Sequence, residues 1–267
     1  MRPAPAPGLR RGVWLFPSRP AGELVECVIA AEEAGLDEVW IADEGVARDP
    51  VSVLAAAARE TSHVLLATGI TSPLLRHPGA LASALTTVDE LSDGRAILGL
   101  GLGGDLSLGP FGITTDRPVG VVADAIRLAR SVIDRSDGPG YAVPKHAAPR
   151  RRVPIWVGAR GRQMTAMAAR LADGVFVSGC SRDEHDRIAA DVAAAGSTGL
   201  ALYQTAASAP ARPSELSWDD VGSFLATEIE RLGPTSVGVN LVDAIEPGGA
   251  DPIELVDRAA ALLRDLP

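Results

Sequence analysis

A closed (β/α)8 barrel is the fold this sequence predicts, and three observations point to it. Segments that are apolar throughout alternate with segments of helical period along the chain, the pattern of a parallel sheet covered on both faces. About eight such strand-helix units follow one another, the number at which a parallel sheet closes on itself. The 267 residues match the roughly 250 that such a barrel needs. An open doubly wound sheet is the rival architecture.

GVWLF, from Gly12, reads as the first strand. The helix after it, ELVECVIAAEEAG, sets Leu24, Val25, Val28 and Ile29 on one face. DEVWIAD is the second strand, after which Asp49 and Pro50 supply an N-cap and a first-turn proline for VSVLAAAARE. VLLATGI is the third, but Gly69 interrupts its apolar run, marking a bulge or a backbone that something approaches closely. GALASALTTVDELS is its helix. RAILGLGLG is the fourth strand, followed past a glycine-rich loop by the helix VGVVADAIRLARSVI. The stretch SDGPGYAVPKHAAPRRRVP reads as a long surface loop, because regular units resume beyond it. PIWVGA and RQMTAMAARLA form the fifth unit. GVFVSG is the sixth strand, with Ser181 and Glu184 as a capping box for the next helix. GLALYQTAA and TSVGVNLV are the seventh and eighth strands, separated by a helix from Trp218 to Leu232. Asp251-Pro252 opens a last helix. Residues 1–11 read as a disordered arm, and 12–267 as one barrel domain with few insertions.

The composition is 46% hydrophobic but only 4% aromatic, which predicts a core of Ala, Val, Leu and Ile. A formal charge of -9 argues against nucleic acid or an anionic membrane surface as partner. Lys145 is the one lysine, so arginines are the forked donors available to an anionic ligand. Cys27 and Cys180 lack metal or CxxC spacing, which points to a reducing cytoplasm. The opening MRPAPAPGLRR has no apolar signal core, and no apolar stretch is long enough to span a bilayer.

In such a barrel, chemistry sits at the C-terminal ends of the strands. Those ends carry Trp14 and Phe16; Asp43 and Glu44; Gly69, Ile70 and Thr71; Gly99, Gly101, Gly103 and Gly104. They continue with Gly158, Ala159, Arg160 and Gly161; Ser178 and Gly179; Gln204; and Asn240. Gly158 to Gly161 follow a strand and open a helix, so their amides form a phosphate cradle or a tight turn that binds nothing. The look-alike Gly99-x-Gly101-x-x-Gly104 does not open a helix directly, which excludes a dinucleotide fingerprint. Asp43 and Glu44 are a proton-relay pair or solvated loop acids. Trp14 walls a substrate or belongs to the core. His77 reads as a local hydrogen-bonding residue, and His63, His146 and His185 have no metal spacing.

Four blocks in order resemble the bacterial luciferase-like oxidoreductase superfamily, above all its deazaflavin-dependent branch. They are AAEEAGLDEVWIADE, LLATGITSPLLRHPGALASALTTVDELSDGRAILGLGLGGD, FGITTDRPVGVVADAIRLAR and VPIWVGARGRQMTAMAARLADGVFVSG. Beyond about Ser181 only the general barrel pattern matches.

The resemblance implies a luciferase-like barrel that binds coenzyme F420 or, in other branches, FMN. It implies a hydride transfer to or from a small organic substrate; an FMN-dependent monooxygenase and a non-catalytic cofactor-binding paralogue are the alternatives. By the same resemblance, a non-prolyl cis peptide at Gly69-Ile70 would back the cofactor ring. Thr71, Gly99 and Gly101 would flank that ring, and Gly158, Ala159, Arg160, Gly161, Ser178 and Gly179 would hold the phosphate tail. Asp43 would serve the proton relay with Glu44 secondary, and Trp14 and Phe16 would wall the substrate side. Glu44 stands where many relatives have histidine, and the fourth-strand loop lacks the Gly-x-Glu acid of sugar-phosphate dehydrogenase relatives. The long loop around Tyr141 is a candidate pocket cover. Relatives of this kind imply a homodimer, here through the small residues of SVLAAAARE.

Overall fold

The computed structural model describes residues 8–144, 146, 152–196, 199–212, 215–244 and 249–267. In chain order it contains β1 (Arg10–Leu15), α1 (Ala21–Glu33), β2 (Glu38–Ile41), α2 (Pro50–Glu60), β3 (Leu65–Thr68) and α3 (Pro78–Leu91). Next come β4 (Ala96–Leu100), α4 (Asp105–Leu108), α5 (Pro118–Asp134), β5 (Ile155–Gly158), α6 (Arg162–Leu171) and β6 (Gly174–Ser178). The chain continues through α7 (Arg182–Ala194), β7 (Gly199–Ala207), β8 (Glu215–Ser217), α8 (Trp218–Leu232), β9 (Ser236–Leu241) and α9 (Pro252–Arg264). Strands β1 to β7 pair in sequence order, all parallel, and β9 bonds to both β7 and β1. The ring closes with eight strands, so the expected (β/α)8 barrel is the observed fold. Strand β8 lies outside the ring, on the projecting end of β7.

Local signals placed the helices well. Asp49 accepts from the Val51 and Ser52 amides, Ser181 and Glu184 form their reciprocal box, and Asp251 caps α9. Single-turn α4 and three-residue β8 escape a periodic pattern because each is too short to carry one. The N-terminal arm needs correction. Arg10 and Arg11 belong to β1, pairing with Ser236 and Val237 of β9, while residues 1–7 lie outside the described residues. The loop around Tyr141 is described to residue 144; residues 145 and 147–151 lie outside the description. Among the described residues no helix is long and apolar enough to cross a membrane.

Aliphatic side chains fill the shell between strands and helices, as the composition predicts. The barrel interior does not follow that expectation. Trp40, Trp156, Phe176 and Tyr203 fill it, with Ala67, Ile97 and Ala201 between them. The Phe176 ring centre lies 4.4 Å from that of Trp40 and 4.8 Å from that of Tyr203. Such rings need bare backbone opposite them, since interiors are close-packed. A Cβ on Gly12 would lie 2.2 Å from the Tyr203 hydroxyl, and one on Gly174 2.6 Å from the Trp156 ring.

At the N-terminal end of the barrel sits the fully buried carboxylate of Glu38. It accepts hydrogen bonds from Trp40 Nε1 and the Tyr203 hydroxyl, both at 2.8 Å, and from the Ser236 hydroxyl. Arg10 pairs with it at 2.9 Å. Burial, reinforced by the Glu38 charge, pushes the Tyr203 phenol well above its usual range.

Candidate active site at the C-terminal mouth

Strand register fixes what faces the mouth. The inward series on β1 is Arg10, Gly12, Trp14; on β9 it is Ser236, Gly238, Asn240, which pair with them in turn. Asn240 also pairs with Thr205 of β7, and Ser178 of β6 with Tyr203 of β7. The uppermost inward positions are therefore Trp14, Asn240, Thr205, Ser178, Gly158 and Gly101, with the β3 end closing the circle.

At that β3 end the Gly69-Ile70 peptide is cis, at the position implied by the resemblance. The Gly69 amide still donates to the Ile41 carbonyl at 2.7 Å, and its carbonyl accepts from Trp14 Nε1. The parallel ladder toward β4 resumes at Thr71, whose amide donates to Gly99 O at 2.9 Å. Between these bonds Ile70 turns its side chain across the mouth. A Cβ on Gly101 would lie 1.7 Å from Ile70 Cδ1, and one on Gly158 2.7 Å from it. Those two glycines therefore make room for Ile70. Gly99 is enclosed as well: its amide and carbonyl both bond to the Thr68 hydroxyl at 2.9 Å. Both its amide and its carbonyl are therefore already engaged.

Asp43 and Glu44 follow β2 and have different surroundings. Asp43 is 4% exposed; its Oδ2 accepts from the Thr71 hydroxyl at 2.6 Å and from Arg76 Nε at 2.8 Å. Arg76 also reaches Asp49 at 3.1 Å, so the guanidinium joins the ends of β2 and β3 to the cap of α2. The Asp43 hydrogen bond holds the Arg76 guanidinium above its usual range. Arg76 is thus already paired and does not stand ready for an anionic tail. Glu44 is half-buried, and burial, helped by the Asp43 charge, raises its carboxyl to about 6. Asp43 is held by Thr71 and Arg76, while Glu44 is the acid that changes state near neutrality. Phe111 packs beside this turn: a Cβ on Gly45, whose φ is +62°, would lie 2.8 Å from its ring.

Gly158 to Gly161 lead into α6, where Gly161 is the N-cap with no side-chain hydrogen bond over the first amides. Arg160 does not overhang them. Its guanidinium folds back, Nε toward Cys180 Sγ at 3.1 Å and Nη2 toward the Ser178 and Gly179 carbonyls. Burial raises the Cys180 thiol against the opposing pull of Arg160. Ser178 turns away from this turn to accept from Asn240 Nδ2 at 2.8 Å. Trp14 and Phe16 lie together at the β1 end, with ring centres 6.2 Å apart. His77 is local, as expected, accepting from the Gly79 amide to start α3.

Asn240, named among the strand-end candidates, completes a polar arc with Ser178 and with Thr205, which sequence reading did not single out. The available signal was strand parity: Asn240 continues the inward series of Ser236 and Gly238.

The sequence profile of the luciferase-like monooxygenase family matches residues 7–232. Over 173 residues, 62% of this chain and 53% of the relative, the chain is 33% identical to 5,10-methylenetetrahydromethanopterin reductase of Methanolobus tindarius. It is 35% identical over 182 residues to F420-dependent glucose-6-phosphate dehydrogenase of Kineococcus radiotolerans, covering 61% of this chain and 54% of that protein. The chain spans about half the length of the curated relatives it matches. Among solved structures it resembles the coenzyme F420 dependent tetrahydromethanopterin reductase from Methanopyrus kandleri. That superposition has a TM-score of 0.75 at 19% identity and covers 96% of this chain and 98% of the other. With the profile running from the first strand through α8 and the barrel closing as described, this chain belongs to the luciferase-like monooxygenase family.

Proposed function

We propose that the barrel mouth binds coenzyme F420 and that the protein is a deazaflavin-dependent oxidoreductase acting on a small organic substrate. The observation that carries this reading is Glu44, a half-buried carboxyl raised to about 6 at the rim of the mouth. Hydride transfer by a cofactor leaves the substrate needing a proton given or taken nearby, and a group of this pKa does either near neutrality. The names of the relatives support the choice of cofactor.

The residues present fit such a group. Asn240 Oδ1 is a buried acceptor to which no described residue donates, and the first amides of α6 have no side-chain cap. Gly69, Ile70 and Thr71, backed by Trp14, would seat the ring; Gly101 and Gly158 contribute by admitting Ile70. Gly161 and the first amides of α6 would meet the phosphate, while the Ala159 and Gly179 amides already donate to the Phe176 and Tyr203 carbonyls and, with Gly158 and Arg160, hold the turn in shape. Bound deazaflavin would supply the hydride chemistry. Glu44 would hold or release the proton with Asp43 beside it, and Trp14 and Phe16 would exclude water from the substrate side.

Equilibrium binding of F420 and FMN to the purified protein tests the reading, followed by oxidation of reduced F420 with a panel of unsaturated acceptors. The expected result is F420 binding at least tenfold tighter than FMN, with turnover of some acceptors. Tight FMN binding without F420 binding would overturn it, and binding with persistent silence would favour a cofactor carrier. The same reading places the enzyme in the cytoplasm, consistent with its two free, buried cysteines. It also makes the protein a homodimer through the outer face of α2, which sedimentation equilibrium tests.

A further inference from the structure

We infer that Ser178 and Asn240 together read an imide edge, a carbonyl beside an N–H, on the ring bound in the mouth. This rests on the cofactor reading above and adds residues to it. Asn240 is 2% exposed, and both protons of its amide nitrogen are already committed. One goes to Ser178 Oγ at 2.8 Å and the other to Thr205 Oγ1 at 3.0 Å. An amide with its nitrogen satisfied in this way has its orientation fixed, and it presents only its oxygen. That oxygen, Oδ1, is buried and accepts no hydrogen bond among the described residues. A buried acceptor left empty is costly, so a polar group in this state is a place where a ligand donor is rewarded.

Ser178 completes the pattern. Its oxygen receives the Asn240 proton, so its own hydroxyl proton must point elsewhere, and Ser178 is exposed at the end of β6. Serine therefore offers a donor next to the asparagine acceptor. The complementary ligand edge is an acceptor next to a donor, which is the carbonyl and N–H of a cyclic imide. Deazaflavins and flavins both carry such an edge on the pyrimidine end of the ring. Register sets the arc on β6, β7 and β9, across the mouth from the Gly69-Ile70 segment of β3.

Binding of F420 and of F420 methylated at the imide nitrogen, followed by fluorescence titration, tests the pairing without any turnover. FMN and its imide-methylated form are titrated in parallel. Wild type is expected to prefer the parent F420 at least tenfold. Asn240→Leu should bind parent and methylated forms within twofold of each other, whereas Asn240→Asp, which keeps an acceptor, should retain the preference. Ser178→Ala should weaken both forms alike by several-fold. Parent and methylated F420 binding wild type equally would overturn the inference and leave the cofactor reading standing. Preference that survives in Asn240→Leu would also overturn it, since the methyl group would then be rejected by shape elsewhere. No F420 binding, with the imide preference found only for FMN, would uphold the pairing and overturn the deazaflavin reading. No binding of any of the four would overturn both.

Discussion

Arg76 and Thr71 already occupy the Asp43 carboxylate, so Asp43→Asn removes a charge that two neighbours use. Breaking a largely buried pair by removing one partner costs 3–5 kcal/mol when both ends are enclosed. Arg76 is partly open to solvent, which lowers the expected loss to about 2 kcal/mol, measured by urea denaturation. The substitution should also move the Glu44 limb of the pH profile to lower pH, because the Asp43 charge helps to raise that carboxyl. Glu44→Gln should lower kcat and abolish the limb near 6 altogether. Stability follows with a definite sign. The folded value of Glu44 lies above its ordinary 4.5, so its contribution is complete below 4.5 and is lost as pH rises through about 6. Glu44→Gln should therefore be more stable than wild type at pH 8 by about 1 kcal/mol, a figure discounted for partial exposure, and equal to it at pH 4. The two acids were legible as a pair from their place at a strand end. That Asp43 is taken up by Thr71 and Arg76 was not, because both are distant in sequence and brought near only by the β3 end.

Strands and helices were the most legible level, since each announces itself by period and cap. Asp49, Ser181 and Asp251 cap the helices the sequence assigns to them. Strand-end glycines were harder, because the same residue marks open backbone in one place and tight packing in another. Gly99 and Gly101 separate the cases by experiment. A Cβ on Gly99 would meet the Thr68 carbonyl at 1.9 Å, which is backbone and cannot yield. Gly99→Ala should cost about 3 kcal/mol or more, the upper range for overpacking. On Gly101 the obstacle is the tip of Ile70, a side chain that turns aside. Gly101→Ala should cost about 1 kcal/mol, and pairing it with Ile70→Val should recover most of that. Thermal denaturation followed by circular dichroism compares all three proteins. Equal losses for Gly99→Ala and Gly101→Ala would contradict the packing described here.

For the molecule as a whole, closure is the defining event, and Glu38 is where it is chemically recorded. Its carboxylate gathers Arg10 of β1, Trp40 of β2, Tyr203 of β7 and Ser236 of β9. Glu38→Ala leaves Arg10 without its partner and should cost about 4 kcal/mol. For a chain of this size that lowers Tm by about 10 °C, read by calorimetry. The aromatic interior belongs to the same level. Composition showed that aromatics are few, but not that Trp40, Trp156, Phe176 and Tyr203 are gathered inside one ring. Only the parity of the strands, once each register is known, places them together.

That buried carboxylate also sets an order of events as the polypeptide leaves the ribosome. Arg10 and Glu38 emerge first, and Tyr203 and Ser236 follow 165 and 198 residues after Glu38. Until they do, β1 has a raw edge, and a negative charge waits for half of its ligands. Nascent chains stay unsealed until β7 and β9 have been made, in the state where a holding chaperone has most to grip.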